Sequence, residues 1–268
     1  MRLAARGLGV IAACACAFAV SVTGQPPKIG YDDTPMLPGG KWHVHDGNRP
    51  QPKVVAAAGP VSIPAPPDAI TLVGTTTDTT RWQMEDGTPL RWAVKDGVLE
   101  TGRGSIRTRE EFSDFQLHVE FATPAQVKGE SQERGNSGVF LLGRFEIQIL
   151  DSYQNPTYPD GQAAAMYGQY PPLVNASRPP GEWQSYDIVF TAPRFGGGGK
   201  LENPAIVTVT HNGVIVHHAM PFNGPSAHRT IEPYAAGMEK GPIGLQDHGN
   251  PVRFRNIWIR PLKTYDAQ

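Results

Sequence analysis

Residues 144–151, "RFEIQILD", carry a carboxylate, an amide and a second carboxylate at Glu146, Gln148 and Asp151. Alternation of period two puts Glu146 and Gln148 on one face of a strand and Phe145, Ile147 and Ile149 on the other. Such a row can hold sugar hydroxyls or move a proton. It is also what the solvated outer face of a two-layer β fold looks like. Further polar groups lie nearby in sequence: Arg134, Asn136 and Ser137 before this strand, and Tyr153, Tyr158, Tyr167 and Tyr170 after it. Tyrosines in a long loop can stack on a sugar ring or simply pack. Near the C-terminus, "LQDHG" sets Gln246, Asp247 and His248 before a turn, where a histidine beside a carboxylate can act as acid, base or metal ligand. His217 and His218 read as a strand-edge pair, and His43 and His45 lie in the leader. No pair has HExxH spacing, and no serine sits in a nucleophile elbow.

These residues need strands to position them. "RWAVKDGVLET" reads as two short strands around an Asp96-Gly97 turn, and "AIVTVTHNGVIVHHAM" as a hairpin with Asn212-Gly213 as a type I′ turn. "FSDFQLHVEFAT" alternates, with Phe115, Leu117, Val119 and Phe121 on one face and Gln116, His118 and Glu120 on the other. "NSGVFLLG" is apolar at nearly every position, so its outer face is covered or forms the wall of a cleft. "EWQSYDIVFTAP", "GPIGLQDHG" and "VRFRNIWIRPL" complete the set. No segment keeps a helical period over three turns. The predicted class is all-β, an antiparallel sandwich. The segment 151–183, rich in Tyr, Pro and Gly, is a long loop of the kind that forms lids and binding surfaces. The glycines of "RFGGGGKLENP" lack the strand–helix context of a phosphate loop.

The net charge of -1 pulls toward neither nucleic acid nor an anionic membrane. Residues 1–24 combine a basic start, the short apolar run "GLGVIAACACAFAV" and small residues before Gln25, the pattern of a secretory signal peptide. "IAAC" ending at Cys14 is the alternative, a lipoprotein box that would anchor the chain to an outer membrane. Both cysteines, Cys14 and Cys16, lie in this segment, so cleavage after Gly24 leaves an exported, periplasmic or extracellular domain without disulfides. Residues 25–68 form a Pro-rich extension, residues 69–263 the domain and residues 264–268 a tail. Tyr31, Met36, Trp42 and two histidines make the extension too adhesive for a pure spacer, and part of it is expected to wrap along the domain.

Five blocks occur in the order found in the 3-keto-disaccharide hydrolase domain family: "NSGVFLLGRFEIQILDS", "AAAMYGQYPP", "GEWQSYDIVF", "VTHNGVIVHH" and "GPIGLQDHGNPVRFRNIWIRPL". The chain resembles that family over about residues 69–263. The leader "GYDDTPMLPGGKWHVHDGNRPQP" resembles the extension of one branch. The resemblance implies a concanavalin A-like jelly roll with a sugar site on the concave face of one sheet, and action on glycosides already oxidised at C3. Such a substrate needs a base for the C2 proton, a group to stabilise the enolate and an acid for the leaving group. On this basis Glu146, Asp151 and His248 are the catalytic candidates. Arg134, Asn136, Gln148, Tyr167, Gln246 and Asp247 are the substrate-binding ones. A divalent cation would serve an enolate well, but no residue pattern argues for one. Two other readings stay open. A laminarinase-like endoglycosidase would carry E-x-D-x-x-E or E-x-D-x-E, whereas this strand reads E-x-Q-x-x-D. A non-catalytic carbohydrate-binding module would use a similar polar and aromatic surface.

Overall fold

A computed structural model describes residues 29–57, 61–75 and 79–263. The predicted signal segment 1–24, with Cys14 and Cys16, and the tail 264–268 lie outside these residues. The described strands are, in chain order, β1 (Lys53–Val54), β2 (Ile70–Val73), β3 (Trp82–Met84), β4 (Ala93–Lys95), β5 (Val98–Glu100), β6 (Ile106–Thr108), β7 (Phe115–Ala122), β8 (Asn136–Leu141) and β9 (Phe145–Leu150). They continue with β10 (Val174–Asn175), β11 (Gln184–Thr191), β12 (Arg194–Phe195), β13 (Leu201–Asn203), β14 (Ile206–His211), β15 (Val214–Pro221), β16 (Gly244–Leu245) and β17 (Arg253–Pro261). Short 3-10 turns occur at Ser131–Glu133, Pro159–Gly161 and Gly197–Gly199, and no α-helix forms among the described residues. None of the described helical turns is long and apolar enough to cross a membrane.

Two antiparallel sheets stack as a jelly-roll sandwich. The larger runs β15-β14-β11-β7-β17-β5-β4, with β2 also on β17, and the smaller runs β3-β6-β16-β8-β9. Alternation decides which side chains meet between them. Phe115, Leu117, Val119 and Phe121 of β7 and Phe145, Ile147 and Ile149 of β9 are all fully buried in one core. Phe145 packs on Phe190 of β11 at 5.7 Å between ring centroids. Each such side chain contributes about 1.5–3 kcal/mol on burial. The expected tight turns form. Asp96 and Gly97 (φ 52° and 73°) join β4 to β5, and Asn212 and Gly213 (φ 51° and 81°) join β14 to β15, the left-handed pair a type I′ turn requires.

The outer faces differ from the wet faces that alternation suggests. His118 and Glu120 on β7 are fully buried, because residues 61–68 run over the large sheet. There the Asn256 amide and the Trp258 indole both donate to the Ile63 carbonyl at 3.0 Å. On the small sheet, all six residues of β9 are buried. This edge strand is covered by the long loop. Gln148 N–H donates to the Ala165 carbonyl at 3.0 Å, Ala164 N–H to the Gln148 carbonyl at 2.8 Å and Tyr167 N–H to the Glu146 carbonyl at 3.2 Å. The loop thereby removes an open edge and carries Tyr167 to Glu146.

Candidate active site

The outer face of the small sheet floors a cavity of about 1160 Å³. Directly paired residues share a face, and Glu146 pairs with Phe140 while Gln148 pairs with Gly138. The floor is low at Gly138: a Cβ there would stand 2.4 Å from Glu146 Oε1, so glycine leaves the room in which the carboxyl lies. The Glu146 backbone N–H donates to Ser226 Oγ at 3.0 Å. Glu146 is 4% exposed, and among the described residues no donor reaches the carboxyl. Burial without compensation pushes this carboxyl up to about 8. Glu146 therefore holds a proton at neutral pH.

Beside it, Gln148 Nε2 donates to Gln132 Oε1 at 3.1 Å, and Gln132 in turn donates to Thr157 Oγ1 at 2.8 Å. Gln148 Oε1, Asn136 Oδ1 and Arg134 Nε are buried and have no partner among the described residues. Buried polar atoms are almost always satisfied, so this cluster on a cavity wall has the form of a ligand-binding surface. Another part of the lining is aromatic. The Tyr158 and Tyr167 hydroxyls lie 3.3 Å apart, and Tyr167 also meets His228 Nδ1 at 3.1 Å. Burial, aided by the Arg229 guanidinium, lowers the His228 pKa and keeps its ring neutral at pH 7.

Behind this wall stands a pair that strand patterns do not reveal. His45 is fully buried, with a left-handed backbone (φ 59°). Its Nδ1 meets Asp160 Oδ1 at 3.2 Å, and its backbone N–H donates to Asp160 Oδ2 at 2.9 Å. The ring packs against Tyr158 at 4.3 Å and Tyr167 at 4.7 Å, and its Nε2 has no partner. The extension thus wraps the domain and builds part of the site. Arg49 Nη1 donates to the Gln169 carbonyl at 2.8 Å, Gln51 Nε2 to the Thr157 carbonyl at 2.8 Å, and β1 pairs in parallel with β10.

Of the residues expected from sequence, Glu146, Gln148, Arg134, Asn136, Tyr167, Gln246 and His248 line the cavity together. Asp151 does not. It is ion-paired with Arg134 and accepts the Tyr153 N–H, so it holds Arg134 in place from behind. Asp247 is likewise turned away, accepting the N–H groups of Gly104 at 2.7 Å and Gly249 at 2.8 Å. Parity explains both. Asp151 follows Ile149 at a spacing of two, and Asp247 follows the buried Leu245, so neither shares a face with Glu146, Gln148 or Gln246. Ser137 is another inward residue, donating to the Gln246 carbonyl at 2.7 Å. His217 is buried and bonds the Ala164 carbonyl at 2.8 Å, and His43 bonds the Thr34 carbonyl; both secure loops. Among the described residues no three His, Cys, Asp or Glu side chains are grouped as a metal centre would require.

The chain matches the model of the 3-keto-alpha-glucoside-1,2-lyase-like domain over residues 68–260. It is 26% identical over 254 residues to a Bacteroides thetaiotaomicron protein named 3-keto-disaccharide hydrolase, a match covering 78% of this chain and 85% of the relative. A Parabacteroides distasonis crystal structure, of a protein provisionally named a glycosyl hydrolase, is 40% identical with a TM-score of 0.71, over 85% of this chain and all of that one. A second structure from the same organism, 24% identical with a TM-score of 0.54, covers 72% of this chain and 99% of its own and shares the fold. Tyr31 and His45 precede the matched domain, so the wall they help build is an addition to it. With a match spanning 68–260 on this sandwich, the chain belongs to the 3-keto-alpha-glucoside-1,2-lyase-like domain family.

Proposed function

We propose that the protein cleaves the glycosidic bond of 3-keto-glycosides by eliminating the C1 substituent and then hydrating the product. The observation that carries this reading is the lone Glu146 carboxyl, protonated and unpartnered on the wall of a polar cavity. A ketone at C3 acidifies the C2 hydrogen. Neutral His228, or His248 at the rim, takes that proton, and the Arg134 guanidinium steadies the charge that develops on the C3 oxygen. Glu146 gives its proton to the departing C1 oxygen, leaving a 2-hydroxy-3-keto-glycal. The Glu146 carboxylate then takes a proton from water as the oxygen adds to C1. The histidine, its N–H exchanged with solvent while the glycal is bound, delivers a proton to C2, restoring both groups. Each proton transfer of this kind is worth about 10²–10⁴ in rate.

A double displacement on an unoxidised glycan would need a second carboxylate facing Glu146 across the bond. The other carboxylates on the cavity lining, Glu130 and Glu133, are exposed on the rim. In the same reading the protein is exported, given the signal-like residues 1–24. The test is incubation of the mature protein with a 3-keto-disaccharide and with its unoxidised parent in D₂O. The expected result is turnover of the keto compound alone, with deuterium at C2 of the released 3-keto-sugar. No turnover, or a product without deuterium formed faster than background exchange, refutes it; binding without turnover would mark a carbohydrate-binding module.

A further inference from the structure

The cavity does not end at Phe140. A second pocket of about 470 Å³ shares Phe140 and Gln246 with it and continues along the same outer face toward Arg107 and Arg144. Pairing fixes the line. Glu146 lies opposite Phe140, Phe140 opposite Gly244 and Gly244 opposite Arg107. These four positions share a face, since the intervening Val139, Leu245 and Ile106 are core residues. Three strand spacings of about 4.8 Å put Arg107 about 14 Å from Glu146 at backbone level. One pyranose ring does not span that distance, but a second group attached to its C1 would. Gly244 keeps the path open. A Cβ there would press on Phe140 Cβ at 3.1 Å and stand between the two pockets.

The far pocket has a charge character of its own. Arg107 Nε is buried without a partner. Arg144 is held by backbone carbonyls alone, its Nη1 donating to Leu142 at 2.8 Å and more weakly to Lys240 at 3.4 Å. Among the described residues neither arginine is ion-paired, and Glu85 on the same lining is exposed and pairs with neither. Two arginines lining one pocket, neither of them ion-paired among the described residues, form a receptor for an oxyanion, to which the planar guanidinium fork is matched.

We propose that this second pocket is the leaving-group subsite and that it selects glycosides whose C1 substituent carries a carboxylate or phosphate-type oxyanion, bound by Arg107 and Arg144. The leaving-group role rests on the reaction proposed above; the anion site stands on the geometry. The test compares 3-keto-glucosides of 4-hydroxyphenylacetate, of its neutral amide and of 4-hydroxybenzylphosphonate, phenols of similar leaving ability. The carboxylate or the phosphonate, or both, should exceed the amide in kcat/KM by about tenfold or more, mostly through KM. The preference should shrink in Arg107→Gln and Arg144→Gln proteins and with added salt. Which acid leads identifies the oxyanion. Equal turnover of amide and acids, or a preference that survives both substitutions, overturns the inference while leaving the reaction intact. If no keto-glucoside turns over, the reaction falls. The anion site is then judged by calorimetric titration of free 4-hydroxyphenylacetate against its amide. Binding of the acid that Arg107→Gln abolishes upholds the site, and equal or absent binding overturns it.

Discussion

Replacing Gly138 with alanine separates the geometry of the site from the stability of the fold. The new Cβ would stand 2.4 Å from Glu146 Oε1 and 3.1 Å from Cδ, while ordinary contact begins near 3.4 Å. The difference, 3.4 minus 2.4, means that the carboxyl must retreat by about 1 Å. Because the obstructed atom is the tip of a flexible side chain, the fold yields cheaply. Alanine gains about 0.5–1 kcal/mol over glycine in a strand, roughly offset by about 0.5–1.5 kcal/mol for an off-rotamer Glu146. Tm should therefore move by only a few degrees. Misplacing a catalytic group by about 1 Å, in contrast, costs about 10²-fold in rate. The assay is kcat on a 3-keto-glucoside beside a thermal melt, for Gly138→Ala, Glu146→Gln and the double variant. The alanine should cost about 10²-fold alone and little more once Glu146 is gone, since both changes act on one group. A loss below about threefold, or an equal loss in the Glu146→Gln background, refutes the idea that Gly138 serves the Glu146 carboxyl.

Glu146→Gln should lower kcat by about 10²–10⁴ yet stabilise the protein at high pH. The carboxyl's raised pKa is a stabilising proton fully present below the unfolded value of 4.5 and lost as pH rises through about 8, so the variant should match wild type at pH 4.5 and exceed it by roughly 5 kcal/mol at most above pH 8 in denaturant melts. Asp160→Asn removes the charge that His45 leans on; it should cost about 1–3 kcal/mol in stability and raise KM as the Tyr158–Tyr167 wall loosens, and an unchanged KM would count against that role. On the other sheet, burial works against the charge on His118, but its hydrogen bond to Asp187 and the Glu120 carboxylate 3.5 Å from its Nε2 raise its pKa, so its contribution is present below pH 6.5 and fades as pH rises through that raised value. Burial also opposes the charge on Glu120, but the nearby His118 ring and bonds from Asn256 and Arg255 take it down to about 2, so its contribution fades only as pH falls from 4.5 toward 2. The melting temperature should peak between about pH 4.5 and 6.5, and His118→Gln should flatten the alkaline side of that curve.

The strand framework was legible because its signals are local. Alternation at Phe115–Phe121 and Phe145–Ile149 names the core, and Asn-Gly and Asp-Gly name two turns. Glu146 and Gln148 were legible as a pair for the same reason. Asp151 and Asp247 stand outside the cavity lining because they have the parity of the core residues Ile149 and Leu245, a pattern the sequence itself displays. His45 was not legible as part of the site. It lies in an aperiodic Pro-rich stretch, and its partner Asp160 is 115 residues away, joined only when the extension folds over the loop. Nor could residues 61–68 be seen to cover His118 and Glu120, since an extended Pro-rich segment docks by backbone carbonyls such as that of Ile63, which leave no mark on residue type.

Glu120 and Glu146 show why burial alone does not mark a functional carboxylate. Both sit on the polar side of a strand, and both are almost wholly buried. Around Glu120, His118, Arg255 at 2.6 Å and Asn256 at 2.6 Å close in, so ionisation is favoured and the group joins a fixed network beneath the extension. Around Glu146 the described residues supply no donor to the carboxyl, Gly138 stays bare beneath it and a cavity opens in front of it. The first arrangement lowers the energy of the resting protein and leaves nothing for a ligand to satisfy. The second leaves the site uncompensated, a cost of about 1–3 kcal/mol for an unsatisfied group, and that cost is recovered only when something else enters and completes the bonding. A carboxyl whose proton is exchangeable near neutral pH, and whose missing partners must come from a ligand, suits the chemistry proposed here, and that difference in partners, not in burial, is the argument for placing the site on the small sheet.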